Sequence, residues 1–139
     1  MEGESVLRHK LDRFFEYVGA DVDRAAELYH EDAVLEFPQS GERFEGVENF
    51  TEWRRQYPVP RDDARFRVRR MVIRDGFSVV ELSASYNRGE TWTHGVQLLD
   101  WRGDKVARER IYVADGWDPP EWRAPWRSAT PADPGPESG

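Results

Sequence analysis

The sequence predicts an α+β protein in which N-terminal helices cover one face of a strongly curved, mainly antiparallel sheet. Residues 64–115 form four stretches of alternating apolar and polar side chains, separated by turn signals at Asp75-Gly76, Asn87-Arg88-Gly89 and Gly103-Asp104. An Asp-Gly pair between such stretches is a strong hairpin signal, because both central residues of the tight turn need positive φ. Helical periodicity is confined to the segment before residue 58, so those helices must cover the apolar face of the sheet.

Composition indicates one small acidic domain. The 139 residues suit a single core, and we expect residues 1–127 to form one domain and residues 128–139, rich in Pro, Gly, Ser and Ala, to be disordered. With 27 acidic against 20 basic residues, the net charge of −7 argues against binding to nucleic acid or to an anionic membrane. There is no membrane-spanning apolar stretch and no export signal in the sequence, so we expect a cytoplasmic protein.

The residue types give no support to metal or nucleotide chemistry. The chain has no cysteine, and its three histidines are scattered without a paired spacing, so we expect no disulfide and no metal site. Glycine-rich phosphate-binding motifs and the nucleophile motif of serine hydrolases do not occur. Any chemistry is therefore expected to proceed without a cofactor.

Three helices are expected before the sheet. Apolar residues recur at helical spacing over residues 5–18, which predicts the first helix. Asp21 or Asp23 can cap a second helix, ahead of a short strand over residues 33–37. A third helix begins after Gly46. Its inward-facing stripe is largely aromatic and consists of Val47, Phe50, Trp53, Arg54 and Tyr57.

The alternation assigns faces to the long strands, which are expected over residues 64–73, 77–87, 91–101 and 105–115. The inward side chains of the second and third strands are expected to be Val80, Leu82, Ala84, Tyr86, Trp92, His94, Val96 and Leu98. The last strand has two competing alternations, one through Asp115 and the other through Tyr112. A β-bulge is needed for both to point inward, and the sequence leaves the face of this strand open.

Two further surfaces are expected to bury apolar area. Trp117, Trp122 and Trp126 lie within ten residues after the last strand, and we expect this segment to dock against the domain. The outward face of the sheet is expected to combine polar side chains with Leu99 and Trp101. Because such a mixture is typical of a sheet that pairs with another subunit, we predict a homodimer.

Three segments resemble a known family. Residues 28–38 read LYHEDAVLEFP, residues 44–50 read FEGVENF and residues 101–106 read WRGDKV. With the order of helices and strands, they resemble the SnoaL-like branch of the nuclear transport factor 2-like superfamily over roughly residues 7–115. The resemblance implies a cone-shaped α+β fold with a pocket inside. Members include polyketide cyclases, ketosteroid isomerase, limonene epoxide hydrolase and scytalone dehydratase, beside proteins that only bind or dimerise.

The resemblance also bears on particular residues. Asp115 ends the last strand where SnoaL-like cyclases and epoxide hydrolases tend to place an acidic residue. Leu82 and Ala84 occupy the inward positions at which, by the same similarity, the epoxide hydrolases carry an arginine and an aspartate. An epoxide-hydrolase mechanism is therefore not expected for this chain, and Asp115 becomes a candidate for acid-base chemistry.

His94 and Asp115 are the candidate acid-base groups. An imidazole on the covered face beside Tyr86 could act as a base near neutral pH, or it could be a core histidine satisfied by hydrogen bonds. A carboxyl among aromatic rings such as that of Trp53 would have its charged form disfavoured by burial, which suits a base or an acid. Alternatively, Asp115 could merely cap the end of its strand.

Aromatic side chains are expected to line the pocket. Tyrosine offers an apolar ring and a hydroxyl donor, which suits a ligand with a carbonyl or enol oxygen. Tyr86 or Tyr112 could stabilise an oxyanion that develops on such a ligand. The remaining lining residues are expected to be Tyr29, Phe37, Phe50, Trp53, Tyr57, Leu82, Ala84, Trp92 and Val96.

Two functions are compatible with these residues. The first is a cofactor-independent isomerase, cyclase or lyase that transfers protons on a small hydrophobic cyclic or aromatic molecule with a carbonyl group. The second is a non-catalytic domain that uses the same cone to bind a small ligand or to dimerise. A buried His94 or Asp115 beside an open pocket favours the enzyme, whereas a cone plugged by tryptophans favours the second function.

Overall fold

A computed structural model describes residues 2–57 and 61–130, which form an open six-stranded sheet with helices packed on one side. The helices are α1 (Glu2–Tyr17), α2 (Val22–Ala25) and α3 (Val47–Arg55), with short 3₁₀ segments at Ala26–Leu28, Arg61–Asp63 and Glu121–Trp126. The strands are β1 (Tyr29–Phe37), β2 (Glu42–Glu45), β3 (Arg65–Arg74), β4 (Phe77–Ser85), β5 (Thr93–Arg102) and β6 (Lys105–Asp115). The predicted α+β class is confirmed.

The strands follow the order β2-β1-β6-β5-β4-β3 across the sheet. The four C-terminal strands pair as the predicted antiparallel meander, and β1 lies parallel to the last of them. Asp21 caps the short helix α2 by accepting a hydrogen bond from the backbone N–H of Arg24 at 3.1 Å. The second helix is shorter than predicted, because a 3₁₀ turn replaces its last part. The first strand therefore begins earlier than predicted, at Tyr29. Tyr29 is therefore a strand residue, and it is buried in the core.

The hairpin between β3 and β4 turns at Asp75-Gly76, as the sequence predicts. Asp75 has a φ of 47° and Gly76 a φ of 77°, so both central residues occupy the left-handed region that this turn requires. The pairing of the two strands slips once, at a bulge between Val68 and Arg70. The bulge leaves both Val68 and Met71 packed in the hydrophobic core.

The core lies between the helices and the inner face of the sheet. Leu11 and Phe14 of α1 and Phe50 of α3 are almost completely buried there. The ring centroid of Tyr29 on β1 lies 5.9 Å from that of Phe14 and 4.8 Å from that of Phe50, both in edge-to-face geometry. One tyrosine ring therefore joins α1, α3 and the sheet.

The inner face of β4 is as predicted. In β5 the alternation is shifted by one residue, so the other set of side chains faces inward. Leu82 and Ala84 line the helix side of the sheet and pair directly with residues of β5 that share that side. The β5 residues on that side are Thr93, Gly95, Gln97, Leu99 and Trp101. Of the predicted set, His94, Val96 and Leu98 fall on the other side, and Trp92 lies before the strand. A strand with leucine at both 98 and 99 permits either face, and the burial of Leu99 and Trp101 in the core decides the register. The expectation that Leu99 and Trp101 face outward is wrong for the same reason.

The last strand follows the alternation through Asp115. Strands β5 and β6 pair without interruption from Thr93 opposite Asp115 to Asp100 opposite Arg108. The irregularity in this pair of strands lies beyond that stretch, after Asp100. Asp115 therefore faces inward, and Tyr112 lies on the outer face, where it is 39% exposed.

The tryptophan-rich segment after β6 does not dock on the chain, contrary to the prediction. Trp117, Trp122 and Trp126 are 77%, 72% and 79% exposed. The segment is held locally instead, because the Arg127 guanidinium donates a hydrogen bond to the Pro120 carbonyl at 2.7 Å. This local closure leaves the three indole rings in solvent.

Residues 128–130 are exposed and without regular structure, and the rest of the tail expected to be disordered lies outside the described residues. Among the helices of the described ranges, none is long and apolar enough to cross a membrane.

Replacing Gly76 with alanine should destabilise the fold by about 1–2 kcal/mol, because a Cβ is strained in the left-handed region. The new Cβ would meet only the Trp101 carbonyl, at 3.7 Å, so strain rather than a clash should account for the loss. Gly116→Ala is the matched control, since a Cβ there has nothing within 4 Å. Urea unfolding of both variants measures the difference, and equal stability would contradict the prediction.

Candidate functional site

A cavity of about 550 Å³ opens between helices α1 and α3 and the inner face of β4, β5 and β6. Two small residues make room for it. Ala84 on β4 and Gly95 on β5 project little or no side chain from the sheet. A Cβ on Gly95 would approach the Tyr112 carbonyl oxygen to 3.3 Å, which is tighter than an ordinary contact. The cavity is large enough for a molecule of several fused rings.

The helix side of the cavity is aromatic. Phe14 of α1 and Trp53 of α3 both line it. The Trp53 ring stacks on Phe44, with centroids 5.8 Å apart, and meets Phe37 edge-on at 5.5 Å. The aromatic stripe predicted for the third helix thus forms an apolar roof over the cavity. Its Trp53 ring is held in place by contacts to β1 and β2.

A buried carboxyl group lies beside the inner end of the cavity. Glu109 of β6 is fully buried between Leu35 and Leu99 on the adjacent strands, and its Oε1 accepts a hydrogen bond from the Tyr29 hydroxyl. Burial raises the pKa of Glu109 above its usual range, against the opposing effects of the Arg54 charge and the Tyr29 hydrogen bond. Burial therefore makes this carboxyl harder to ionise than an exposed glutamate.

Arg54 is the cation of this inner end. It lies in the last turn of α3, lines the cavity and donates a hydrogen bond to the Tyr29 hydroxyl at 3.3 Å. Its guanidinium carbon is 5.4–5.8 Å from the ring centroids of Phe14, Tyr29, Phe50 and Trp53. Aromatic faces stabilise a guanidinium charge. Hydrogen bonds thus run from Arg54 to Tyr29 and from Tyr29 to Glu109.

Two buried acceptors beside these residues have no hydrogen-bond partner in the described part of the chain, Glu109 Oε2 and Gln97 Oε1. Gln97 pairs with Ile111 and Glu109 pairs with Leu99, so the two side chains are diagonal neighbours on one face of the sheet. A proton on Glu109 Oε2 or the opposite orientation of the Gln97 amide would each supply the missing donor, so the pair is compatible with either state of the acid.

The mouth of the cavity carries different polar groups. The Thr93 hydroxyl donates a hydrogen bond to Asp115 Oδ1 at 2.8 Å, and both residues line the cavity. Burial and the interaction with Tyr57 raise the pKa of the Tyr86 hydroxyl to about 12. Gln97 and Thr93 are four residues apart on β5, so about 13 Å separates the inner from the outer polar groups.

The predicted acid-base residues are only partly brought together. Asp115 and Tyr86 line the mouth of the cavity. His94 reaches the same rim, but it is exposed and its Nδ1 is hydrogen-bonded to Ser83 Oγ at 3.2 Å, so it is not on the covered face as expected. Tyr112 is not in the cavity, because the uninterrupted pairing of β6 turns Asp115 inward and Tyr112 outward.

The predicted lining residues separate into three groups. Those that line the cavity are Phe37, Trp53, Tyr57, Leu82 and Ala84. Tyr29 and Phe50 are buried in the core behind it. Trp92 and Val96 do not line it, because Val96 faces outward and Trp92 lies in the loop before β5, with its ring centroid 4.5 Å from the Arg67 guanidinium carbon.

Arg54, Glu109 and Gln97 were not among the predicted site residues. Arg54 is the charged member of an otherwise apolar stripe on α3, and Glu109 shares its alternation with Ile111 and other apolar residues of β6. A charged residue in such a position is a signal, because it must find a partner when it is buried. The shared hydrogen-bond partner of Arg54 and Glu109 is Tyr29. The sequence pattern could not identify it, because the pattern does not show that β1 lies beside β6.

The open sheet, with helices over a cavity on its inner face, defines a nuclear transport factor 2-like cone. The model of the SnoaL-like domain family matches residues 11–109, and the chain belongs to this family. A solved NTF-2 like protein of unknown function from Burkholderia xenovorans LB400 is 30% identical, with a TM-score of 0.79 over 92% of this chain and 98% of that one. The resemblance expected from the sequence is confirmed.

Other solved structures share the fold at lower identity. A protein from Kribbella flavida DSM 17836, provisionally named a ketosteroid isomerase, is 23% identical, with a TM-score of 0.79 and 94% of each chain covered. An LEH-like epoxide hydrolase from M. tuberculosis is 14% identical, with a TM-score of 0.65 over 79% of this chain and 84% of that one. These likenesses concern the fold alone. No curated protein matches the sequence significantly.

Glu109→Gln should change how stability depends on pH. A carboxyl whose folded pKa is raised stabilises the fold fully below its unfolded pKa, near 4.5, and this contribution is lost as pH rises through the folded value. Glutamine keeps an acceptor for the Tyr29 hydroxyl but cannot ionise. The stability of the variant relative to the wild type should therefore rise by up to about 1.4 kcal/mol per pH unit in that window.

Urea unfolding at about pH 5 and about pH 8 measures this difference. Glu81→Gln is the matched control, because Glu81 is exposed on the other face of the sheet. Parallel pH profiles for the wild type and Glu109→Gln would show that the buried carboxyl does not have a raised pKa.

Proposed function

We propose that the chain binds a small cyclic or aromatic molecule in its cavity and transfers a proton on it without a cofactor, as an isomerase, cyclase or lyase. The observation that carries this proposal is the cavity itself, about 550 Å³, with an aromatic roof and polar groups at its two ends. Cavities of this size and composition take small apolar ligands and orient them by a few hydrogen bonds. The exposed tryptophans after β6 do not plug it.

Asp115 and Tyr86 are the groups proposed to act on the ligand. They belong to the β6 and β4 sides of the mouth, two strand spacings apart, so about 10 Å separates their backbones across the sheet. A ring held between them can present a C–H bond to Asp115 while its oxygen accepts a hydrogen bond from Tyr86. The Tyr86 hydroxyl is protonated at neutral pH, as is any tyrosine whose pKa is not lowered, so this group can serve as the donor.

A non-catalytic binding domain is the second candidate function. It is favoured by the exposure of Asp115 and His94. Their hydrogen bonds to Thr93 and Ser83 are also explained by a purely structural role. The same cavity would then hold its ligand unchanged. The two functions differ in whether a bound ketone exchanges its acidic protons.

Asp115→Asn should slow proton exchange on a bound cyclic ketone. In heavy water, 1-tetralone is expected to exchange the protons beside its carbonyl faster with the wild type than in buffer. Removal of the proposed base should lower this rate by about 100-fold or more, the usual contribution of general acid-base catalysis. Proton NMR of the ketone measures the exchange.

Asp118→Asn is the matched control, because Asp118 is exposed three residues further along the chain and is not part of the cavity. Equal rates for the wild type and Asp115→Asn would exclude the proposed role of Asp115. Binding of the ketone without any exchange above the buffer rate would favour the non-catalytic domain.

We also propose that the chain forms a homodimer through the outer face of its sheet. Val72, Val79 and Leu98 are paired directly across β3, β4 and β5, and Val96 pairs with Tyr112 beside them. An exposed apolar patch of this kind is typical of a subunit contact. The exposed tryptophan-rich segment, residues 117–126, is proposed to bury its rings against the partner.

Tyr112→Glu should dissociate the proposed dimer, because it introduces a charge into the apolar patch. Light scattering of the wild type at tens of micromolar should give a mass of twice 16.3 kDa, and the variant should approach 16.3 kDa. Val6→Glu is the matched control, since Val6 is 48% exposed on α1, on the other side of the sheet. A chain truncated after Gly116 should also dimerise less tightly.

A wild-type mass of 16.3 kDa under these conditions would contradict the dimer. An unchanged dimer after truncation would contradict the role given to the tryptophans.

A further inference from the structure

The inner end of the cavity holds a cation without a carboxylate partner. Arg55, the next residue of α3, is paired with Asp23 and with Glu52. Arg54 instead donates a hydrogen bond to the neutral Tyr29 hydroxyl, and no ion pair within 4.0 Å joins it to an acidic group in the described part of the chain. A guanidinium has five N–H donors. Donors of Arg54 therefore remain for a molecule in the cavity.

The nearest buried carboxyl does not pair directly with this charge. Glu109 is hydrogen-bonded to Tyr29 rather than to Arg54, and burial raises its pKa although the charge of Arg54 acts in the opposite direction. The Tyr29 hydroxyl therefore lies between the carboxyl and the guanidinium, and Arg54 lines the cavity with its other donors.

The rings around Arg54 strengthen its attraction for an anion. Four aromatic centroids lie within 5.8 Å of the guanidinium carbon, and among these four rings only that of Tyr29 carries an oxygen acceptor. Attraction between charges is stronger where the surroundings are less polar than water. A cationic ligand is disfavoured at this end for the same reason.

We propose that the ligand of this cavity carries a carboxylate on its ring system and that Arg54 binds this group at the inner end. This inference rests on the small-molecule site proposed above and names the chemical class of its ligand. A guanidinium matches a carboxylate by two parallel hydrogen bonds. The ring system then lies over Ala84 and Gly95, and its far edge reaches the polar groups at the mouth.

The test compares two probes that share a ring system and nearly share a shape, 2-naphthoate and 2-naphthamide. Isothermal titration calorimetry at about pH 7 should show naphthoate binding at least about tenfold more tightly to the wild type. Arg54→Met should abolish this preference, because methionine fills the apolar part of the site without a charge. Arg13→Met, which removes an exposed arginine of α1 that does not line the cavity, should keep it.

Equal affinity of the wild type for both probes, or a preference for naphthoate that survives Arg54→Met, would overturn the inference. In the first case, binding of naphthamide would still support the cavity as a small-molecule site. Failure of both probes to bind would overturn the inference together with that site.

Circular dichroism checks that Arg54→Met is folded. A second measurement does not depend on that variant. The Nε–H resonance of Arg54 in the wild type, assigned with Arg54→Lys, should shift with naphthoate and not with naphthamide. The absence of a selective shift would count against the carboxylate site.

Discussion

A single buried carboxyl group couples the layers of this protein. Glu109 lies on the inner face of the sheet between two leucines, where a charge without a charged partner costs several kcal/mol, so the fold must supply hydrogen bonds to it. Tyr29 supplies one of these bonds, and its ring is held by Phe14 of α1 and Phe50 of α3. The buried acid is therefore connected to both helices through the ring of Tyr29.

The same constraint gives the cavity two chemically different ends. At the inner end, Tyr29 lies between the buried acid and Arg54, whose guanidinium is surrounded by rings and makes no direct ion pair in the described part of the chain. At the mouth, hydroxyl and carboxyl groups on β4, β5 and β6 meet solvent. Proteins with this fold differ in chemistry because they differ at such positions rather than in architecture. The apolar side chains of Leu82 and Ala84 leave the floor between the two ends uncharged.

The pairing of the strands divides the sheet into two surfaces with separate roles. Each residue of β5 faces either the cavity or the outer side, so the register that puts Gln97 in the cavity also puts Val96 beside Tyr112. A change of one residue in that register would exchange the two sets. The site and the outer apolar patch are therefore specified together, by the same contacts that bury Leu99 and Trp101.

The sequence by itself determined the α+β class, the order of the elements, the Asp75-Gly76 turn and the aromatic side of α3, because these follow from local periodicity and turn chemistry. It did not determine the inner face of β5, since apolar residues occur on both of its alternations. It also did not show that Glu109, Tyr29 and Arg54 form one group. These residues come from three elements, and only the tertiary structure places β1 beside β6. Only the tertiary structure decided these points: burial of the largest apolar side chains selects the register, and the register decides which polar groups must share the core.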